Sequence, residues 1–222
     1  MASTIGSRLA YNKAKEAINK AGFSAGQAVL SQGFLRIEVP LSTTQTLYNF
    51  PILANDNSVA TTNTSVRLQL QDAFYVSSMF FGFGKPSSST DSSFQLVTYP
   101  NASIFSTANT ASSLYQWYNS SLSLTCNNRQ IVPNYPLYAH YDVPQMQTTT
   151  NADYTTSSIN YKDQQKGISS GVCPIEPGWV LVGSKNNSLQ VALPNAMTAV
   201  ETNSRAIIIF YGHLAQNVTP VR

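Results

Sequence analysis

From residue 34 onward, short apolar runs alternate with polar turns. Phe34-Leu-Arg-Ile-Glu-Val-Pro-Leu41 sets Leu35, Ile37 and Val39 on one side, the two-residue period of a half-buried strand. Residues 47–53 predict a second strand, with Pro51 marking an edge or a bulge. Val66-Arg-Leu-Gln-Leu-Gln71 alternates cleanly, and the run from Ala73 to Phe83 is long and aromatic. Further strands are predicted at 94–99, 114–118 and 122–125, with a short one at Ile159-Asn-Tyr161 in the otherwise polar region 145–170. Residues 130–144, rich in proline and tyrosine, read as extended. Polar loops are predicted at 55–65 and 85–93. This recurrence, at roughly 8–12-residue spacing, is the rhythm of sandwiches and jelly rolls.

The stretch that organises the rest is Arg205-Ala-Ile-Ile-Ile-Phe-Tyr-Gly-His-Leu214. Its apolar centre is too short to span a membrane, which takes about 20 apolar residues. β-branched and aromatic residues favour a packed, pleated surface. Ile207, Ile208, Ile209 and Phe210 are therefore expected in a closing strand covered on both faces. Before it, 179–182 and 188–193 flank Gly183-Ser-Lys-Asn-Asn187, whose residues supply turn geometry, so the pair reads as a hairpin.

One helix is predicted, over 3–21, with Ser3 or Thr4 as its cap and Gly22 as its stop. At about 100° per residue, Ala10, Tyr11, Ala14, Ala17, Ile18 and Ala21 share an arc. Lys13 and Lys20 border it on one side, Arg8 and Lys15 on the other; Ile5 and Leu9 fall outside it. Residues 23–32 read as a linker or a loose second helix. The helix either lies against anionic lipid or nucleic acid or packs its alanine face on its own β body. Charge favours the first reading. Residues 1–36 hold five cations against Glu16, a balance of +4, whereas the whole chain carries +3, which leaves −1 for the remainder.

Composition adds one constraint. Charged residues are 10% of the 222, far below the usual quarter, while hydrophobic residues are 42%. A core is assured, and the low charge suits a subunit that hides surface in an assembly; a neutral lectin-like or fibre module is the bland alternative.

No motif carries chemistry. His140 and His213 have no His, Cys or carboxylate at ligand spacing, so neither a metal nor a catalytic centre is expected. No nucleophile elbow, phosphate loop or dinucleotide glycine pattern occurs, and no cofactor is expected. Gly82-Phe-Gly84 reads as a turn after a strand. Cys126 and Cys173 are expected as free buried thiols. Glu176 and Glu201 are the one conceivable glycosidase pair, with nothing in the sequence to bring them together. Tyr115, Tyr118, Tyr135, Tyr138 and Tyr141 suit a sugar platform or a protein interface. No apolar signal-peptide run follows Met1, and the five Asn-X-Ser/Thr sequons are expected to arise by chance in so Asn-, Ser- and Thr-rich a chain.

A basic, small-faced helix at 3–21 ahead of a nearly neutral all-β body, from the strand at Phe34 to the closing strand at 205–214, resembles viral capsid subunits. It is most similar to the double jelly-roll (upright double β-barrel) major capsid proteins of adenovirus and of tailless, membrane-containing bacteriophages, including small-genome phages of flavobacteria. None of these features is a specific motif. The resemblance implies an arm at 1–33, a first barrel at 34–127 and a second at 128–222, with one elaborated jelly roll as the alternative, since 222 residues is short for two barrels. It implies pseudo-hexagonal homotrimers in the icosahedral shell of a virion, with no enzymatic role. It also implies contacts with penton or minor capsid proteins. Arg8, Lys13, Lys15 and Lys20 would then face an internal lipid membrane or the genome. The alternative function is a carbohydrate- or receptor-binding β module of a spike or fibre; a glycan-active enzyme is a distant third.

Overall fold

The computed structural model describes residues 2–24, 28–58, 62, 64–102, 104–106, 109–126, 128–143 and 171–220, with the side chains of 2–8, 219 and 220 left aside. In chain order the elements are α1 (Ala2–Lys20), β1 (Phe23–Ser24), β2 (Val29–Pro40), β3 (Leu47–Phe50), β4 (Ala73–Gly84), β5 (Leu96–Val97) and α2 (Thr110–Tyr118). They continue with β6 (Ser121–Cys126), β7 (Arg129–Pro136), a 3-10 turn at Leu137–His140, β8 (Val172–Val182), β9 (Asn187–Ala192), β10 (Arg205–Gln216) and β11 (Thr219–Pro220).

The body is all-β and antiparallel, and its long strands pair in a nested order. Inside the short β1–β11 pair, β2 pairs with β10, β3 with β9, β4 with β8 and β6 with β7, from the outside inward. Pairings of β10 with β4 and of β9 with β6 join these into two sheets. One runs β2-β10-β4, with β8 and β5 along the far edge of β4; the other runs β3-β9-β6-β7. Alternate residues of both sheets meet in one core, in which Ile37, Phe81, Ile208 and Phe210 face Phe50, Leu122, Leu124 and Val191.

β10 lies at the centre. Ile208 and Phe210 point into the shared core, while Ile207 and Ile209 pack on the other face with Phe80, beneath Phe94, Leu96 and Val172. All four are buried. Opposite its step from Tyr211 to Gly212, β4 carries an extra residue, Ser77, as a bulge. A Cβ at Gly212 would stand 1.8 Å from the Tyr75 carbonyl oxygen, so only glycine permits this approach.

The tandem-barrel division at 34–127 and 128–222 is overturned. β9 and β10, from the second half, each sit between two strands of the first half, so among the described residues neither half has a sheet or a core of its own. Five smaller expectations also change. Residues 114–118 belong to α2, not to a strand: Thr110, Ser113, Leu114, Trp117 and Tyr118 are buried at helical spacing. Trp117 reaches the core, where its ring centroid lies 4.5 Å from Tyr48 and 5.8 Å from Phe81. The apparent hairpin after Trp179 is a crossover, because β8 pairs with β4 and β9 lies in the other sheet. The alternating 66–71 makes only isolated bridges, Arg36 to Val66 and Leu53 to Leu68, and the strand expected at 94–99 shrinks to β5. Part of the segment read as a linker or second helix enters β1 and the start of β2. The strand expected at Ile159-Asn-Tyr161 lies outside the described residues.

Candidate functional site

α1 packs on the outer face of the larger sheet. Ala14 and Ile18, one helical turn apart, are fully buried against Ala73, Tyr75, Val182 and Ala215, and Phe23 closes the cluster. The small side chains matter: alanines on helix and sheet let the two backbones approach closely. The expectation that this face lies on lipid or nucleic acid is therefore corrected, since the chain's own sheet occupies it. Tyr11, assigned to the same arc, is exposed.

The cations stay on the outside. Lys13 meets Glu176 of β8 at 3.5 Å and Lys20 meets Glu16 at 2.7 Å, both pairs well exposed. Exposed pairs of this kind contribute about 0.2–1 kcal/mol. Lys15 is half-buried at the border of the packed stripe. Arg8 lies in α1, and its side chain is outside the described ones. Leu9, 58% exposed, shares the outward side with Lys13 and Lys20.

Beyond α1 the same sheet face carries an open apolar pair. Phe34 of β2 stands directly across from Tyr211 of β10, and both are exposed. β2 is the edge strand, bridged on its free side only at Arg36 among the described residues.

Next along β2 is a buried ionic cluster that the sequence did not point to. Glu38 has no exposed side-chain surface. It accepts hydrogen bonds from Arg36 Nε at 2.7 Å, Arg205 Nη1 at 3.0 Å, Thr62 Oγ1 at 3.0 Å and Thr64 Oγ1 at 2.5 Å. Burial alone would push the carboxyl up. The hydrogen bonds from Thr64, Thr62 and Arg205 and the charge of Arg36 outweigh it and hold the carboxyl below its ordinary value. Arg205 also donates to the Ser89 carbonyl, so the cluster ties two loops to β2 and β10.

The tyrosines gather at the α2 end. Tyr141 lies 6.2 Å from Tyr115, 5.0 Å from Tyr118 and 5.8 Å from Tyr138, the last with rings nearly parallel at 4°. Tyr115 and Tyr138 are exposed, whereas Tyr118 is buried, with its hydroxyl raised far above the ordinary value. Tyr135 stands apart from this group, 5.5 Å from His140 and 5.7 Å from Trp179. Burial and the neighbouring Cys173 push its hydroxyl up to about 12.

The remaining candidates stay scattered. His140 is fully buried, with Nδ1 2.8 Å from the Gly171 carbonyl, and burial lowers its pKa. His213 is only partly buried, and burial lowers its pKa as well. Cys126 and Cys173 are free thiols raised by burial; Cys173 donates to the Ala139 carbonyl. Glu176 pairs with Lys13, whereas Glu201 pairs with Lys85 at 2.8 Å, so the two carboxylates serve different neighbours. Among the described residues no three His, Cys, Asp or Glu side chains gather as a metal site, and no helix is long and apolar enough to cross a membrane. No protein-family model, curated protein or solved structure matches this chain.

Proposed function

We propose that the two sheets form one jelly roll and that the chain is a virus structural protein, the major capsid subunit of a tailless, membrane-containing phage. The observation that carries the reading is the nested pairing: first strand with last, second with next to last, inward to the β6–β7 hairpin. A chain doubled into one long antiparallel ribbon and then wrapped acquires this order, which is the jelly-roll plan used by capsid and lectin domains. One further feature favours a capsid over a soluble lectin: the exposed Phe34–Tyr211 pair beside an edge strand. An open edge flanked by apolar side chains invites pairing with another chain unless something covers it.

With one sandwich per chain, six copies make a hexagonal capsomer, where a double barrel would need three. The partners are then further copies of the chain, minor or penton proteins, and the anionic lipid or genome inside the shell. α1 meets that interior through its outward face of Leu9, Lys13 and Lys20, since its alanine stripe is taken.

Size measurement tests this. Light scattering and negative-stain microscopy of the purified protein should show ring-like oligomers, sheets or shells; a monomer that persists at high concentration refutes it. The tyrosine cluster favours a second reading, a glycan-binding module of a spike or fibre. That reading gains if the protein stays monomeric and binds a glycan array in a manner lost in Tyr138→Ala.

A further inference from the structure

A cavity of about 410 Å³ opens where the C-terminal end of α1 meets the β6–β7 turn. Its lining is mixed: Phe23, Ile131, Val180 and Val182 contribute apolar atoms, Phe23 and Val182 from buried positions, and the exposed Arg129 and Lys185 contribute two cations. Among the described residues no carboxylate lines it. Its size falls in the range of about 300–1,000 Å³ usual for small-molecule sites. Neither cation takes part in a salt bridge among the described residues.

From this arrangement we infer that the cavity binds a single-chain anionic amphiphile, a fatty carboxylate or its chemical equivalent. The chain lies on the Phe23–Val180–Val182 wall, and the headgroup meets Arg129 and Lys185. The charge pattern selects the occupant. The apolar part of the lining alone would accept any hydrocarbon, whereas two cations with no counter-carboxylate among the described residues favour an anion beside them. Ile131, 40% exposed, is the apolar residue that a bound chain would cover. The inference does not depend on the capsid reading, since a lectin-like module with this cavity would bind the same ligand.

Cys126 lines the cavity and Cys173 does not, which supplies an internal control. The full chain is treated with a thiol-alkylating reagent at alkaline pH, with and without dodecanoate below its micelle concentration, and each cysteine is followed by mass spectrometry. Dodecanoate should slow alkylation of Cys126 and leave Cys173 unchanged. Dodecanol and dodecyltrimethylammonium should protect poorly. Calorimetry should show dodecanoate affinity falling about tenfold for each of Arg129→Gln and Lys185→Gln, the weight of one charge-assisted hydrogen bond. Both cations are exposed, so these variants should melt like the parent. Absence of Cys126 protection, equal protection of both cysteines, or equal protection by the cationic amphiphile overturns the assignment. The capsid reading is untouched by any of these outcomes, because oligomer size is read separately.

Discussion

Replacing Glu38 with Gln keeps the shape of the side chain and removes the charge that two guanidinium groups share. Arg205 has a side chain only 7% exposed, and Arg36 one 18% exposed, so neither recovers full hydration when the carboxylate is gone. Removing one partner of a buried pair costs about 3–5 kcal/mol. The amide oxygen still accepts one hydrogen bond, and Arg36 can lean toward solvent, so the expected loss is at the lower end, about 3 kcal/mol. With a urea slope of about 3 kcal/mol/M, at the upper end of the range for small proteins, the unfolding midpoint falls by about 1 M. Urea unfolding followed by tryptophan fluorescence at pH 7 measures it, since Trp117 and Trp179 are both buried. The gap should also depend on pH in a definite direction. The folded Glu38 carboxyl is held below its ordinary value, so its stabilisation is complete above the unfolded value of about 4.3 and is lost as pH falls through the depressed folded one. Parent and variant should therefore converge in acid. A midpoint shift under about 0.3 M at neutral pH, or a gap that widens in acid, would refute the account of this cluster.

Other outcomes follow from the same packing. Ile208→Ala should cost about 2–5 kcal/mol by leaving a cavity in the shared core, and Ile208→Asp should abolish soluble expression. His140 and His213 both have pKa values lowered by burial, so folding should weaken as pH drops below about 6.5, and a variant with both changed to Asn should lose that slope in thermal melts. Phe34→Glu should shift oligomers toward smaller species in light scattering while the melting temperature holds, because the side chain is exposed. Changing Arg8, Lys13, Lys15 and Lys20 together to Gln in the full chain should abolish sedimentation with anionic vesicles at low salt, each cation contributing about 1 kcal/mol near such a surface.

The elements legible in the sequence are those whose burial is written locally. β10 announces itself as an unbroken apolar run, and β4 as two runs either side of Ser77 and Ser78, because both faces of these stretches are covered. α2 was hidden for the opposite reason. Its buried stripe spans only nine residues, and its tyrosines and tryptophan carry strand propensity, so the helical spacing of Ser113, Leu114, Trp117 and Tyr118 was outweighed. Pairing was illegible altogether: β2 meets β10 across more than 150 residues, and no local pattern encodes that partner. Among candidate sites, the tyrosine cluster was foreseen as residues but not as a place, since α2 and the 3-10 turn bring it together. Glu38 looked like an ordinary outward position of an alternating strand. Thr62 and Thr64, from a loop more than 20 residues on, fold over it and turn a surface carboxylate into a buried one.

The same reasoning limits what α1 can do. A helix whose apolar stripe is free inserts into a bilayer by that stripe, and its adhesion is largely hydrophobic. Here Ala14 and Ile18 are already buried against the sheet, in one cluster with Ala73 and Ala215. Among the described side chains, what remains outward is Leu9, Tyr11, Glu16 and a few cations, so contact with an anionic surface would be mainly electrostatic, reversible and screened over a Debye length of about 8 Å at physiological salt. Such contact suits a subunit that must sit on an internal surface without being embedded in it. Under the capsid role proposed above, the face of the larger sheet that carries α1 would turn toward that surface, and the Phe34–Tyr211 pair, on the same face beside the open edge of β2, would lie where adjacent subunits meet.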